Sequence, residues 1–305
     1  MSGWLPAAPC IPDRCARHTG AVRAPLPAAL LLLSGCTLVL LGVVCVPLVR
    51  LLGAGPRRRL TRRWARAVPQ AFGVRVMVRP HEPDRAPGEG ELVVANHISW
   101  LDIPLVASAL PGRMVAKREI RYWPLLGPLA ALGGTLFIDR DRLRALPAAV
   151  RTIATALRSG SRVVVFPEGS TWCGRGGGGT FRPAAFQAAI DAGATVRPVR
   201  IAYRTAAHHS AAHDGAGHCS GPGAGAVAFV GADPLAASLW RVVRAAGLTA
   251  RIDVLAPIPA DGEDGRRALA RRARTAVLGP EEPRRSGQTA VASERANRPA
   301  ESVHH

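Results

Sequence analysis

The sequence predicts an α/β protein: a mixed, largely parallel sheet flanked by helices and preceded by an N-terminal membrane helix. Short runs of Val, Ile and Leu, such as "ELVVA" at 91–95 and "RVVV" at 162–165, alternate with longer stretches of helical spacing. Strands joined by helices in this way imply a sheet covered on both faces. Leu26–Val49 carries no charge, and about 20 such residues suffice to cross a bilayer core. With 305 residues, 48% hydrophobic and 20% charged, the chain is long enough for one large core with appendages.

In chain order, residues 1–25 are expected to be disordered and 26–50 to form a membrane-anchoring helix. Residues 51–278 read as one catalytic domain with a flexible insertion at 204–225, and 279–305 as a disordered tail. A secretory signal is the competing reading of the apolar run, but such a segment needs only about 7–15 residues and no A-x-A site follows. A helical hairpin, or a re-entrant segment in one leaflet, satisfies the same composition. Arg50, Arg57, Arg58, Arg59, Arg62, Arg63 and Arg66 follow the run, against Arg14, Arg17 and Arg23 before it. That excess predicts a cell-membrane protein, single-pass or monotopic, with its catalytic domain facing the cytoplasm. The same arginines meet anionic headgroups, each adding on the order of 1 kcal/mol.

Within the domain, "ELVVAN" reads as a strand and "DIPLVASAL" as a short helix with Pro104 tolerated in its first turn. "RMVAK" and "GGTLFIDR" read as the next two strands. "LPAAVRTIATALRSG" puts Val150, Ile153, Ala154 and Leu157 on one helical face, with Pro147 near its start and Gly160 just past its end. "RVVVFPEG" is a fourth strand and "PAAFQAAIDAG" another helix, followed by strands at "TVRPVRIAY", "AVAFVG" and "ARIDVLAPI". The insertion holds His208, His209, His213, His218 and Cys219, yet its Gly-rich setting offers no rigid ligand geometry, so it reads as a loop rather than a metal site.

The formal charge of +19 points to an anionic partner. Nucleic acid is disfavoured: aromatics are only 5%, and Lys117 is the single lysine in a chain whose arginine usage has the look of coding bias. The six cysteines, Cys10, Cys15, Cys36, Cys45, Cys173 and Cys219, show no CxxC pair and no metal-type spacing, which reads as reduced thiols facing the cytosol.

Three strand ends carry the chemistry. The first ends in Asn96, His97 and Asp102, the third in Asp139 and Arg140, and the fourth in Glu168, Gly169, Ser170 and Thr171. Carboxyl ends of parallel strands gather at one crevice, so groups far apart in sequence converge there. A base, a paired acid, a guanidinium and a glycine-bearing turn suit acyl or phosphoryl chemistry on an anionic substrate. His97 is the natural base and Asp102 the group that holds its other ring nitrogen. Five residues of regular helix would leave the two about 140° apart, so they meet only if the chain bends at a loop-to-helix junction, which Ser99 and Pro104 permit. The bland readings are a helix-capping Asp102 and an ordinary strand-end His97.

"NHISWLD", "GGTLFIDR", "VVVFPEGST" and "VRPVRI", in this order, resemble the four motif blocks of the glycerolipid acyltransferase family, typified by the 1-acylglycerol-3-phosphate acyltransferases, over roughly residues 60–260. The resemblance implies that His97 and Asp102 are the catalytic HxxxxD pair and that Arg140, in the block Phe137–Arg140, meets the acceptor's phosphate. It implies acceptor binding for Phe166, Pro167, Glu168 and Gly169, to which the neighbouring Asn96, Ser170 and Thr171 are added as substrate-binding candidates, and an acyl-donor role for Pro198. The donor it implies is acyl-CoA or acyl carrier protein, without metal or other cofactor, and the partners are the bilayer and a lysophospholipid, not nucleic acid. Many relatives carry Thr-Arg-Ser after the third block's Glu-Gly, whereas here Ser170, Thr171 and Trp172 follow and no arginine stands among them. No uncharged side chain pairs with phosphate as a guanidinium does, so either Arg175 or Arg182 substitutes or the head group is not a plain phosphate. The expected activity is acylation of 1-acylglycerol-3-phosphate to phosphatidic acid, with another lysolipid such as lyso-ornithine lipid as the alternative acceptor, and acyl-thioester hydrolysis or noncatalytic membrane binding as rivals. Backbone amides near Gly169 are candidate oxyanion donors, and "WPLLGPLAALGG" is either core or an acyl-chain lining.

Overall fold

The computed structural model describes residues 8–81, 89–124, 126–139, 143–174, 178–205, 224–260 and 265–280. Among the described residues, seven strands form one sheet in the order β1-β7-β6-β2-β5-β3-β4. They are β1 Arg75–Arg79, β2 Glu91–Ala95, β3 Arg113–Lys117, β4 Leu136–Ile138, β5 Arg162–Val165, β6 Thr195–Arg204 and β7 Thr249–Val254. β6, β2, β5, β3 and β4 run parallel, while β7 is antiparallel to β6 and carries β1 parallel to itself. The sheet is therefore mixed and mostly parallel, as its alternating elements predict.

Period-two side-chain alternation divides the core into two layers. Val93 and Ala95 of β2 and Val199, Ile201 and Tyr203 of β6 face the helices Ala54–Ala71, Asp102–Ala109 and Leu235–Arg244. Leu92 and Val94 of β2, with Val163 and Val165 of β5, face Leu146–Arg158, Ala184–Ala192 and Gly265–Leu278. β2 is buried along its whole length, which is the behaviour of a central parallel strand and explains its unbroken apolar run. Glu91, at the amino end of β2, is paired with Arg162 at 2.6 Å and Arg197 at 2.8 Å, so the buried charge is neutralised on adjacent strands.

"AVAFVG" is not a strand. Ala224–Val227 is one helical turn and the Phe229 N–H donates to the Ile98 carbonyl at 3.0 Å. The edge of β6 that it would have joined is taken by β7, which pairs with β6 from Val199 to Arg204. β1 and the helix Ala54–Ala71, both arginine-rich, are elements that apolar periodicity alone does not reveal.

Residues 8–24, expected to be disordered, lie against the domain. Cys10 is buried, Val22 bridges Ala245, and the Arg23 guanidinium donates to the carbonyls of Val243, Ala245 and Gly73. The apolar helix Pro25–Arg50 then turns back as an antiparallel partner to Ala54–Ala71. Trp64 Nε1 donates to the Leu38 carbonyl at 3.1 Å, and any Cβ on Gly35 or Gly42 would fall 2.4 Å from the Phe72 ring or 2.3 Å from the Trp64 ring. Leu26, Leu30, Leu33, Leu41, Val44 and Leu48 remain exposed along it. The greater part of the 204–225 insertion and of the tail after 279 lies outside the described residues.

Candidate active site

β2 and β5 are parallel neighbours, so Asn96–His97 and Phe166–Glu168 leave the sheet at the same edge. His97 precedes the helix that Asp102 opens, and the intervening loop folds around the Asp102 carboxylate. His97 Nδ1 lies 2.9 Å from Asp102 Oδ2, with the imidazole 19% exposed and the aspartate fully buried. The same Oδ2 accepts the N–H groups of Ile98 at 2.6 Å and Ser99 at 2.8 Å. Asp102 Oδ1 accepts the Tyr203 hydroxyl at 2.5 Å. Four donors converge on this one buried carboxylate and fix its position. Burial and the Asp102 charge push the Tyr203 phenol well above its ordinary range, so it stays protonated and donating. With Nδ1 committed to Asp102, Nε2 is the nitrogen left for a substrate.

Phe166 stacks on the imidazole at 4.2 Å between centroids and 19° between planes, fixing the second ring face. The backbone of His97 is held on both sides: its carbonyl accepts the Trp172 N–H at 2.7 Å, and its N–H donates to Glu168 Oε2 at 2.7 Å. Glu168 Oε1 accepts the Gly179 N–H at 2.7 Å, and the side chain is only 3% exposed. Burial pushes the Glu168 carboxyl up to about 7, against the pull of the Gly179 and His97 amides; the Asp102 charge pushes the same way and Arg274 opposes it.

The substrate-binding expectations fare unevenly. Asn96 is buried and spends its side chain on β6, donating to the Ile201 carbonyl at 2.9 Å and accepting the Ile201 N–H at 2.8 Å. Glu168 likewise gives its oxygens to backbone amides, so both side chains brace the loop at His97. Thr171 Oγ1 donates to the Phe229 carbonyl. Gly169 sits at φ 78°, which glycine accommodates without strain, and its N–H closes a turn onto the Phe166 carbonyl at 3.1 Å, so that amide is not turned toward an oxyanion. The Ser170 hydroxyl is buried beside this turn. Pro198 is buried within β6 in register with Val94 of β2, three residues before the loop at His97. Asp139 closes β4; Arg140 and Arg175 lie outside the described residues, and Arg182 is exposed. A small hollow beside His97 is lined by Asn96, Ile98, Glu168, Trp172, Gly174 and Leu278.

Tyr203 is the functional residue that pattern reading misses, since it falls on the apolar face of β6 with Val199 and Ile201. Its signal is a hydroxyl on a face that is otherwise aliphatic, because a buried Tyr O–H needs a partner.

This geometry can be set beside known proteins. The chain matches the family model described as Acyltransferase over residues 77–202. It is 38% identical over 221 residues to the lyso-ornithine lipid O-acyltransferase of Pseudomonas aeruginosa, covering 72% of this chain and 78% of that one. The 1-acyl-sn-glycerol-3-phosphate acyltransferase of Neisseria meningitidis serogroup B is 37% identical over 180 residues, 59% of this chain and 65% of the relative. The crystal structure of the 1-acyl-sn-glycerophosphate acyltransferase of Thermotoga maritima superposes with a TM-score of 0.59 at 18% identity, covering 90% of this chain and 99% of that one, a likeness of fold.

Proposed function

From the premise that the chain belongs to the acyltransferase family that includes the 1-acylglycerol-3-phosphate and lyso-ornithine lipid enzymes, and is an O-acyltransferase, we propose that it acylates the free hydroxyl of 1-acylglycerol-3-phosphate, giving phosphatidic acid at the expense of acyl-CoA or acyl carrier protein. The observation that carries the chemistry is the His97–Asp102 pair, with Nδ1 engaged and the ring braced by Phe166. His97 Nε2 takes the proton of the acceptor hydroxyl as that oxygen attacks the thioester carbonyl. Collapse of the tetrahedral adduct breaks the carbon–sulfur bond, and the imidazolium returns the proton to the departing thiolate. Asp102 stabilises the imidazolium between the two steps. Arg140 is assigned to the acceptor's phosphate on the strength of its motif.

Lyso-ornithine lipid is the second acceptor reading, favoured by the lack of an arginine among Ser170, Thr171 and Trp172. Thr171 donates its hydroxyl to the Phe229 carbonyl and Trp172 gives its backbone N–H to His97, where a plain phosphate would call for a guanidinium.

The exposed leucines of Pro25–Arg50, on a helix long and apolar enough to cross a membrane, support membrane association. Arg23 before this helix and Gly73 after the next are tied together on the domain, so the two helices form a hairpin whose ends lie on one side. This favours monotopic insertion, with the apolar helix at the acyl boundary and the arginines of Ala54–Ala71 among headgroups.

The test is lipid mass spectrometry of products formed by the purified full chain from labelled acyl-CoA or acyl carrier protein and a panel of lysolipids. His97→Ala should abolish transfer while leaving vesicle binding intact. Near-normal turnover in that variant removes His97 as the base, and thioester consumption at full rate without any lysolipid replaces transfer with hydrolysis.

A further inference from the structure

The sequence separates Cys10 and Cys15 from Cys173 by most of the domain, yet the fold brings their three sulfur atoms within 4.8 Å of one another. We propose that Cys10, Cys15 and Cys173 form a three-thiolate site for a thiophilic divalent metal ion of the zinc type, which pins the N-terminal segment to the loop that holds the catalytic histidine.

The geometry suits a metal. Zinc–sulfur bonds of about 2.3 Å in a tetrahedral shell put ligand sulfurs roughly 3.8 Å apart, a contraction that side-chain rotation supplies. Cys10 immediately precedes the one-turn helix Pro12–Cys15, whose last residue is the second ligand and whose Cys15 N–H donates to the Ile11 carbonyl at 2.9 Å. The third ligand, Cys173, donates its backbone N–H to Cys10 Sγ at 3.4 Å, a contact that joins the two segments at their sulfurs. Ala228, Val230 and Trp172 pack around the thiols and exclude water, while Cys15 is only partly buried, leaving an open side from which a water would complete the shell. Each thiol releases its proton to solvent as its sulfur binds the cation. A disulfide would use two of the sulfurs and strand the third; convergence of all three favours a cation. None of the three is in a disulfide.

The site is structural rather than catalytic. Cys173 follows Trp172, whose N–H holds the His97 carbonyl, so metal at the thiols fixes the chain one residue from that contact and anchors the segment that leads into the apolar helix.

The experiment is a Co²⁺ titration of the reduced full chain in detergent micelles under anaerobic conditions, with metal content of the purified protein measured in parallel. One equivalent should bind with tetrahedral d–d bands and sulfur-to-cobalt charge transfer, and Zn²⁺ should displace it. Cys10→Ser, Cys15→Ser and Cys173→Ser should each weaken binding by at least about tenfold, whereas Cys36→Ser, Cys45→Ser and Cys219→Ser should leave it unchanged. Cys15→Ala, at the most exposed of the three positions, serves if a buried variant fails to fold. Absence of the charge-transfer band, binding that follows Cys219 instead, or a Cys10–Cys173 disulfide in the anaerobically purified chain would overturn the proposal.

Discussion

Glu168→Gln separates the electrostatics of the loop from its hydrogen bonding. The folded carboxyl holds its proton more tightly than the ordinary value of 4.5, at about 7. Its contribution to stability is therefore complete below about 4.5 and is lost as pH rises through about 7. At 1.36 kcal/mol per tenfold change in proton affinity, that loss is about 3 kcal/mol. Because the group is almost wholly buried, solvent screening reduces this little. For a chain of this size about 1 kcal/mol moves the melting midpoint by roughly 2–4 °C, so this one residue should lower Tm by on the order of 10 °C between pH 5 and pH 8. Glutamine does not titrate, but its amide NH₂ faces one of the N–H groups of His97 and Gly179, at a cost of about 1–3 kcal/mol. The variant should thus melt lower at pH 5, approach the wild type at pH 8, and lack the component of the pH slope that the wild type shows. Thermal melts monitored by circular dichroism in detergent read both slopes. Parallel slopes in the two proteins would refute the assignment, whatever the absolute midpoints.

Tyr203→Phe removes one donor from Asp102 while preserving the packing of β6; a hydrogen bond to a charged group is worth about 1.5–3 kcal/mol, so kcat should fall roughly tenfold or more with the KM for acyl-CoA unchanged, as steady-state kinetics will read. Glu91→Gln leaves Arg162 and Arg197 without their shared counter-charge and should cost about 3–5 kcal/mol of stability in urea unfolding. Activity per folded molecule should persist, because Glu91 lies at the end of β2 opposite His97. Gly35→Val drives a side chain into the Phe72 ring and should splay the helical hairpin, weakening cosedimentation with anionic vesicles while acyl transfer to a detergent-dispersed lysolipid continues.

The chemistry was more legible in the sequence than its scaffolding. The runs "ELVVA" and "RVVV" are apolar because they lie at the centre of a parallel sheet, and their polar terminators converge because parallel neighbours end at one edge. The bend that lets His97 meet Asp102 follows from the helix beginning at Asp102 itself. Roles were harder to read than positions. Asn96 and Glu168 have side chains suited to a ligand, yet both are spent on backbone groups, a distinction that depends on which neighbour occupies the next strand. Residues 8–24 have a composition typical of a disordered leader and are held by Arg23 and Cys10, whose partners lie far along the chain. The helix Ala54–Ala71 hides among arginines because its apolar stripe is narrow and meets another helix.

β6 touches the reaction centre at two places on one face: Ile201 clamps Asn96 and Tyr203 holds Asp102. A slip of one residue in its pairing with β2 would turn Tyr203 to the opposite face and unhook Asn96 in the same movement. Turnover is therefore a gauge of strand alignment, and a chain that had threaded this strand wrongly would be catalytically silent even if it stayed compact.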